Sequence, residues 1–214
     1  LDGNGNTGKT SSRSVDRTLA PNERMEARLD DLFGFSGGGL ITGSVGYQTK
    51  GDSRGLFGNI EKGLFGYLEI ETADGTGLTA IPVQGAGYSD LSFSHFADGS
   101  GLYTGLALMN AGSQTSSITI DAFDPRGYPI DTATLSLAAN SRWSGLLRDL
   151  MPGTADQIGG RVHITASSLI LALEILGSNS SETLAVIPAQ GSVLAAQLSG
   201  QPVSALKGGT VISS

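Results

Sequence analysis

The chain has no cysteine, only two histidines, and charged residues at just 15% of its 214 positions, against a usual share of roughly 25%. Without cysteine, disulfide frameworks, thiol nucleophiles and cysteine-ligated zinc or iron–sulfur centres are excluded. His95 and His163 alone make a poor metal set, and both read as structural or exposed positions. Cationic residues are scarce as well: 13 Lys plus Arg stand against 20 Asp plus Glu, a formal net charge of −7. Such a chain repels phosphate backbones, and no basic run interleaved with aromatics appears, so no nucleic-acid partner is expected. Long apolar runs are missing too. The most apolar stretch, Leu169 to Ile175, is interrupted by Glu174 and is far shorter than the roughly 20 residues that span a bilayer. No signal peptide is present, and the first residue is Leu1 rather than Met, which reads as a processed or excised segment.

Glycine, by contrast, fills 32 positions, about twice its usual share of roughly 7%. The chain also repeats itself. Thr18-Leu-Ala-Pro-Asn22-Glu-Arg24 with Leu29-Asp-Asp-Leu32 matches Ser136-Leu-Ala-Ala-Asn140-Ser-Arg142 with Leu147-Arg-Asp-Leu150, at an offset of 118. Leu64 to Ile70 matches Leu169 to Ile175 at offset 105, and Ile81 to Gly85 matches Ile187 to Gly191 at offset 106. Three collinear blocks indicate duplication, with extra residues in the first copy at about 46–63.

Short β-branched or alternating runs at Leu102–Met109, Ser117–Phe123, Thr132–Leu137, Arg161–Thr165, Leu169–Leu176 and Thr183–Pro188 are separated by turn signals such as Asp124-Pro-Arg-Gly127. This pattern predicts an all-β protein: two tandem Ig-like antiparallel β-sandwich domains, each with one short helix. The first helix is capped by Asn22, carries Met25, Leu29, Leu32 and Phe33, and ends at Gly34. In the second copy Asn140, Leu146, Leu147, Leu150 and Pro152 play the same parts. The expected domains are residues 1–88, lacking their first two strands; residues 89–191, complete; and a strand-forming tail, residues 192–214. A sandwich short of two strands has open edges. Val193, Leu194, Leu198, Val211 and Ile212 of the tail are expected to complete it beside Val15 and Leu19, within one subunit or in the next. Donation to the next subunit propagates into filaments.

The run His95 to Asn110, with Thr134 to Arg142, Leu147 to Leu150 and Leu184 to Gln190, resembles a repeat unit found in tandem in secreted and surface proteins of environmental bacteria. The resemblance covers all of the second copy and part of the first. It implies an extracellular β-sandwich module without known catalytic residues. The truncated first unit and the insertion at about 46–63 depart from it and speak against a simple string of beads.

Several motifs invite sharper readings. Gly3-Asn-Gly-Asn-Thr-Gly8-Lys9-Thr10 fits a phosphate-binding loop, but no buried strand precedes it and no apolar helical face follows. Asp2, Asn4 and Asn6 start like a calcium loop, yet Thr7 and Arg13 stand where that loop needs Gly and Glu. No Gly-x-Ser-x-Gly elbow is present. Glu69 and Glu174 sit at matched places in apolar strands, one per copy, so they do not form an acid–base pair. They are instead expected to pair with the matched arginines, Glu69 with Arg24 and Glu174 with Arg142. Tyr47, Phe57, Phe65 and Tyr67 suit a subunit contact or, as the alternative, a sugar-stacking face. The reading is a non-enzymatic extracellular structural protein, without cofactor or metal, whose main partner is itself as a homopolymer. The alternative is a surface adhesion module that binds glycans.

Overall fold

The structure, a computed structural model, describes residues 13–21, 23–35, 45–46, 66–71, 78–84, 87–179 and 184–191. The chain divides into two compact bodies, residues 1–64 and 65–214, so the boundary expected at residue 88 falls inside the second. The described residues are mostly antiparallel β-strand with little helix, an all-β protein.

In the first body a single helical turn forms, α1 (Leu29–Phe33). It begins later than its sequence suggests, because Arg28 is already extended and Met25 is exposed. A five-residue turn that buries no side chain has little to hold a longer helix together. Gly34 closes it at φ 63°, the left-handed conformation that glycine adopts without strain. Arg13 donates to the carbonyls of Phe33 and Gly34, both at 2.6 Å, satisfying acceptors that a helix end leaves open. Val15 and Leu19, expected on a sheet edge, are each 36% exposed and pair with no strand among the described residues; the tail expected beside them lies outside those residues.

The second body starts with a hairpin, β1 (Tyr67–Glu71) and β2 (Leu78–Pro82), pairing Leu68 with Ile81. Further strands are β3 (Tyr88–Ala97), β4 (Leu102–Asn110), β5 (Ser116–Phe123), β6 (Pro129–Leu137), β7 (Arg142–Leu146), β8 (Ile158–Ser178), β9 (Leu184–Pro188) and β10 (Gln190–Gly191). A short helix, α2 (Leu147–Leu150), and a 3-10 turn, Pro152–Thr154, stand between β7 and β8. Both Leu-x-Asp-Leu motifs of the repeat thus form a helical turn. Asn140 is not its cap: it takes the left-handed conformation, φ 58°, in the turn between β6 and β7, which asparagine tolerates better than most residues. Arg142 to Leu146, expected inside the helix that Asn140 would cap, with Leu146 on its apolar face, are strand instead.

β8 is 21 residues long and organises the rest. Its first half pairs with β3 and β5, its second half with β4 and β9. β6 pairs onto β5, β7 onto β4, and β10 onto β3. The two expected strands at Arg161 and Leu169 are therefore one. Ala166-Ser167-Ser168 contains no glycine or proline to break the ladder, and β8's even-numbered residues face inward in both halves, Val162 and Ile164 in the first, Ile170, Ala172 and Glu174 in the second. Cross-strand rows Phe93–Val162–Ala122 and Leu91–Ile164–Ile120 build one side of the core. Leu106, Leu108, Leu147 and Met151 complete it.

The matched sequence blocks also match in pairing. Leu64–Ile70 and Ile81–Gly85 contribute the β1–β2 hairpin, while Leu169–Ile175 and Ile187–Gly191 contribute strand to β8, β9 and β10. The register differs by one residue. Glu69 pairs with Ala80, whereas Glu174 pairs with Ile187, and a one-residue slip exchanges the faces of a strand pair. Glu69 is exposed, as is Ile70 on the other face of the two-stranded hairpin, whereas Glu174 is buried.

Candidate functional site

Each face of the sheet formed by β3, the first half of β8, β5 and β6 has its own chemistry. The inner face is the core. The outer face carries rows of polar side chains, Ser92–His163–Asp121–Thr132 and Asp90–Thr165–Thr119–Thr134, set opposite one another by the strand register. His163 Nε2 lies 3.2 Å from Asp90 Oδ1, and the Thr132 hydroxyl donates to Asp121 at 2.7 Å. At one end of this face Arg161 pairs across from Phe123, with its guanidinium 3.7 Å from the ring centroid. A β-bulge between Phe93 and Phe96 turns His95 out into solvent nearby, where its Cε1 approaches Gly159.

The β5–β6 turn completes that end. Asp124 accepts from the Arg126 amide at 2.9 Å, the Tyr128 amide at 2.9 Å and the Arg126 guanidinium at 2.8 Å. Desolvation pushes the Asp124 carboxyl up, but these donors outweigh it and hold the group below the usual carboxylate range. Arg126 also lies 5.3 Å from the centroid of Tyr128, whose side chain is 64% exposed. In the sequence this stretch reads only as a turn. Its Asp-Pro-Arg-Gly-Tyr composition, with a cation beside an exposed aromatic, was the signal available.

The second feature is an edge. β6 is nine residues long and pairs only with β5 among the described strands. Thr132, Thr134 and Ser136 are exposed on one face, while Ala133, Leu135 and Leu137 turn toward the core. Pro129 opens the strand, and Asp131 accepts from the Gly153 amide at 2.9 Å, so its first residues are tied to the 3-10 turn. The remaining edge from Thr132 to Leu137 keeps the alternation that another strand would extend.

Glu174 is the most unusual carboxyl in the body. It is fully buried in the row Gly145–Leu106–Glu174–Ile187, and neither carboxyl oxygen has a hydrogen-bond partner among the described residues. Burial pushes its pKa from 4.5 up to about 8. The expected pair with Arg142 is not made. Arg142 stands opposite Met109 on β4 and Glu174 opposite Leu106, three residues apart, so the two side chains leave the same sheet on opposite faces. In the first body Arg24 pairs with Glu26 at 2.9 Å. Its expected partner Glu69 belongs to the second body.

Other polar groups are structural. Buried Asp98 is paired with Arg148 at 3.3 Å. Asn110 donates from Nδ2 to the carbonyls of Gln114 and Leu137 at 2.7 and 2.9 Å, locking the β4–β5 turn to the end of β6. A shallow depression of about 390 Å³ beside it is lined by Gly87, Ala111, Gly112, Ser113, Gln114, Ser168 and Leu169, none of them titratable. Among the described residues no group of three His, Asp or Glu is placed to hold a metal ion, and no helix is long and apolar enough to cross a membrane. The loop Gly3 to Thr10, the calcium-like Asp2, Asn4 and Asn6, residues 47–63 with Tyr47 and Phe57, Phe65, and the tail with Val193, Leu194, Leu198, Val211 and Ile212 lie outside the described residues.

The chain matches no family model and no curated protein. Among solved structures it is similar to the crystal structure of Thermotoga maritima 1070, at 14% identity and a TM-score of 0.44, over 50% of this chain and 96% of that one. It is also similar to the Anabaena sensory rhodopsin transducer, at 14% identity and a TM-score of 0.36, over 41% of this chain and 95% of that one.

Proposed function

We propose that this is a non-enzymatic, extracellular structural protein, a subunit that assembles with copies of itself into a surface filament by β-strand complementation. The observation that carries this reading is the amphipathic β6 edge, which among the described residues pairs with β5 alone and is free of any partner from Thr132 to Leu137 on its other side. Most proteins shield such an edge, and one left open is a template for another strand. The tail holds apolar, strand-like pieces at Val193 to Leu198 and Thr210 to Ser213, and the recurring hairpin supports the reading of two tandem sandwich repeats, the first one incomplete. Electron microscopy of purified protein is the test. The full chain is expected to form uniform filaments, and a chain ending at Gly191 is expected to remain monomeric. A full chain that stays monodisperse at every concentration would sink the proposal.

A further inference from the structure

We propose that the end of the sheet where Arg161 lies on Phe123 and Arg126 lies beside Tyr128 is a binding site for a sugar bearing a single carboxylate. This is independent of the assembly reading.

The case begins with charge. Residues 65–214 hold twelve Asp or Glu against five Lys or Arg. With acids in such surplus, cations in this body find partners readily: Arg126 holds Asp124, Arg148 holds Asp98, and Arg142 is engaged elsewhere. Arg161 makes no hydrogen bond or ion pair among the described residues. Asp121 lies on the same face one strand-row away, yet it is taken by Thr132. What holds Arg161 is the Phe123 ring, 3.7 Å below its guanidinium. A guanidinium seated over a ring without a carboxylate partner still has its planar fork of N–H donors to offer, and a carboxylate accepts from that fork in bidentate fashion.

The adjoining turn supplies the rest of a sugar site. Tyr128 presents a largely exposed ring on the same hairpin end, suited to the C–H face of a pyranose, and the four hydrogen bonds onto the Asp124 carboxylate fix the turn that carries it. The bulge at Ser94-His95 adds a ring nitrogen able to donate to a hydroxyl. The acid surplus on the same body limits what binds: it repels polyanions, so one negative charge fits better than many.

NMR titration of the full chain separates the possibilities. Glucuronate is expected to shift the amides of residues 123–128 and 159–161 with a dissociation constant of about 1 mM, the scale set by a ligand of its size. Glucose and acetate are each expected to bind at least tenfold more weakly, and polygalacturonate more weakly per sugar. Arg161→Gln and Arg161→Lys are both expected to weaken glucuronate at least tenfold, the lysine because it keeps the charge but loses the fork. Tyr128→Ala is expected to reduce glucuronate to the level of acetate. Amide dispersion in the same spectra reports that each variant is folded. Acetate binding as well as glucuronate, a hexa-aspartate peptide binding more tightly, an unchanged affinity in Arg161→Gln, or no shift at all would each overturn the proposal.

Discussion

Glu174→Gln is expected to flatten the alkaline side of the protein's stability profile, and Glu174→Met to raise stability outright above pH 8. The wild-type carboxyl is fully buried with no hydrogen-bond partner among the described residues, and burial raises its pKa from 4.5 to about 8. The residues facing it on the neighbouring strands are Leu106 and Leu108 of β4, Gly145 of β7 and Ile187 of β9, none of them titratable. Between pH 4.5 and about 8 the folded chain therefore binds a proton that the unfolded chain has released. Stability is fully present below the unfolded value and falls as pH rises toward the folded one, by about 1.4 kcal/mol per unit. Integrated over that window the loss approaches about 5 kcal/mol, a large part of an ordinary domain's stability. Urea unfolding at pH 5, 7 and 9 reads it directly. The wild type is expected to weaken steeply across the series and Glu174→Gln only slightly, so parallel profiles would refute the assignment. Glu174→Met adds apolar contact where an orphaned carboxylate stood.

Gly160→Ala is expected to cost about 3 kcal/mol or more, the upper end of what overpacking costs. A Cβ at Gly160 would overlap both the Phe96 ring and the Phe123 carbonyl oxygen. Neither can yield cheaply: Phe96 is fully buried in the core, and Phe123 is held in the β5 ladder. A melting temperature lower by about 6–12 °C follows for a body of this size. Gly127→Ala is the control, because that glycine needs its positive φ of 88° but has open space around it, and only about 1 kcal/mol is expected. If the clash is the cause, adding Phe96→Leu to Gly160→Ala restores part of the loss. Equal effects at the two glycines would point to backbone conformation instead.

The strands that alternate strongly were legible in the sequence. Leu102–Met109 and Ser117–Phe123 were expected within a residue or two of β4 and β5. β3 was not read as a strand: Tyr88-Ser-Asp-Leu-Ser-Phe alternates, but the bulge at Ser94-His95 breaks the period just where a continuous run would have given it away. β8 looks like two strands in the sequence because Ala166-Ser167-Ser168 is small and partly polar, although nothing in it forces a turn. Arg142 and Glu174 recur at matched positions, which suggested a pair. Faces of a sheet follow from register, and register depends on partners far along the chain, so their opposite orientation was not written locally. The Arg161–Phe123 contact was hidden for the same reason, since 38 positions separate two residues that the β5–β8 pairing sets side by side.

The place of β8 in the chain has a consequence for how the protein is made. β4 and β7 can pair early, as can β5 and β6, but these are isolated ribbons until residues 158–178 arrive to join them to each other and to β3. During synthesis, Leu91 and Phe93 therefore wait uncovered while some 70 residues are added before their partners in β8, and Ile118 and Ile120 while about 45 are. Such long-range closure is slow and leaves sticky edges in the meantime. For a chain read as assembling through its edges, the ribosome becomes the first place where premature pairing between neighbours must be avoided.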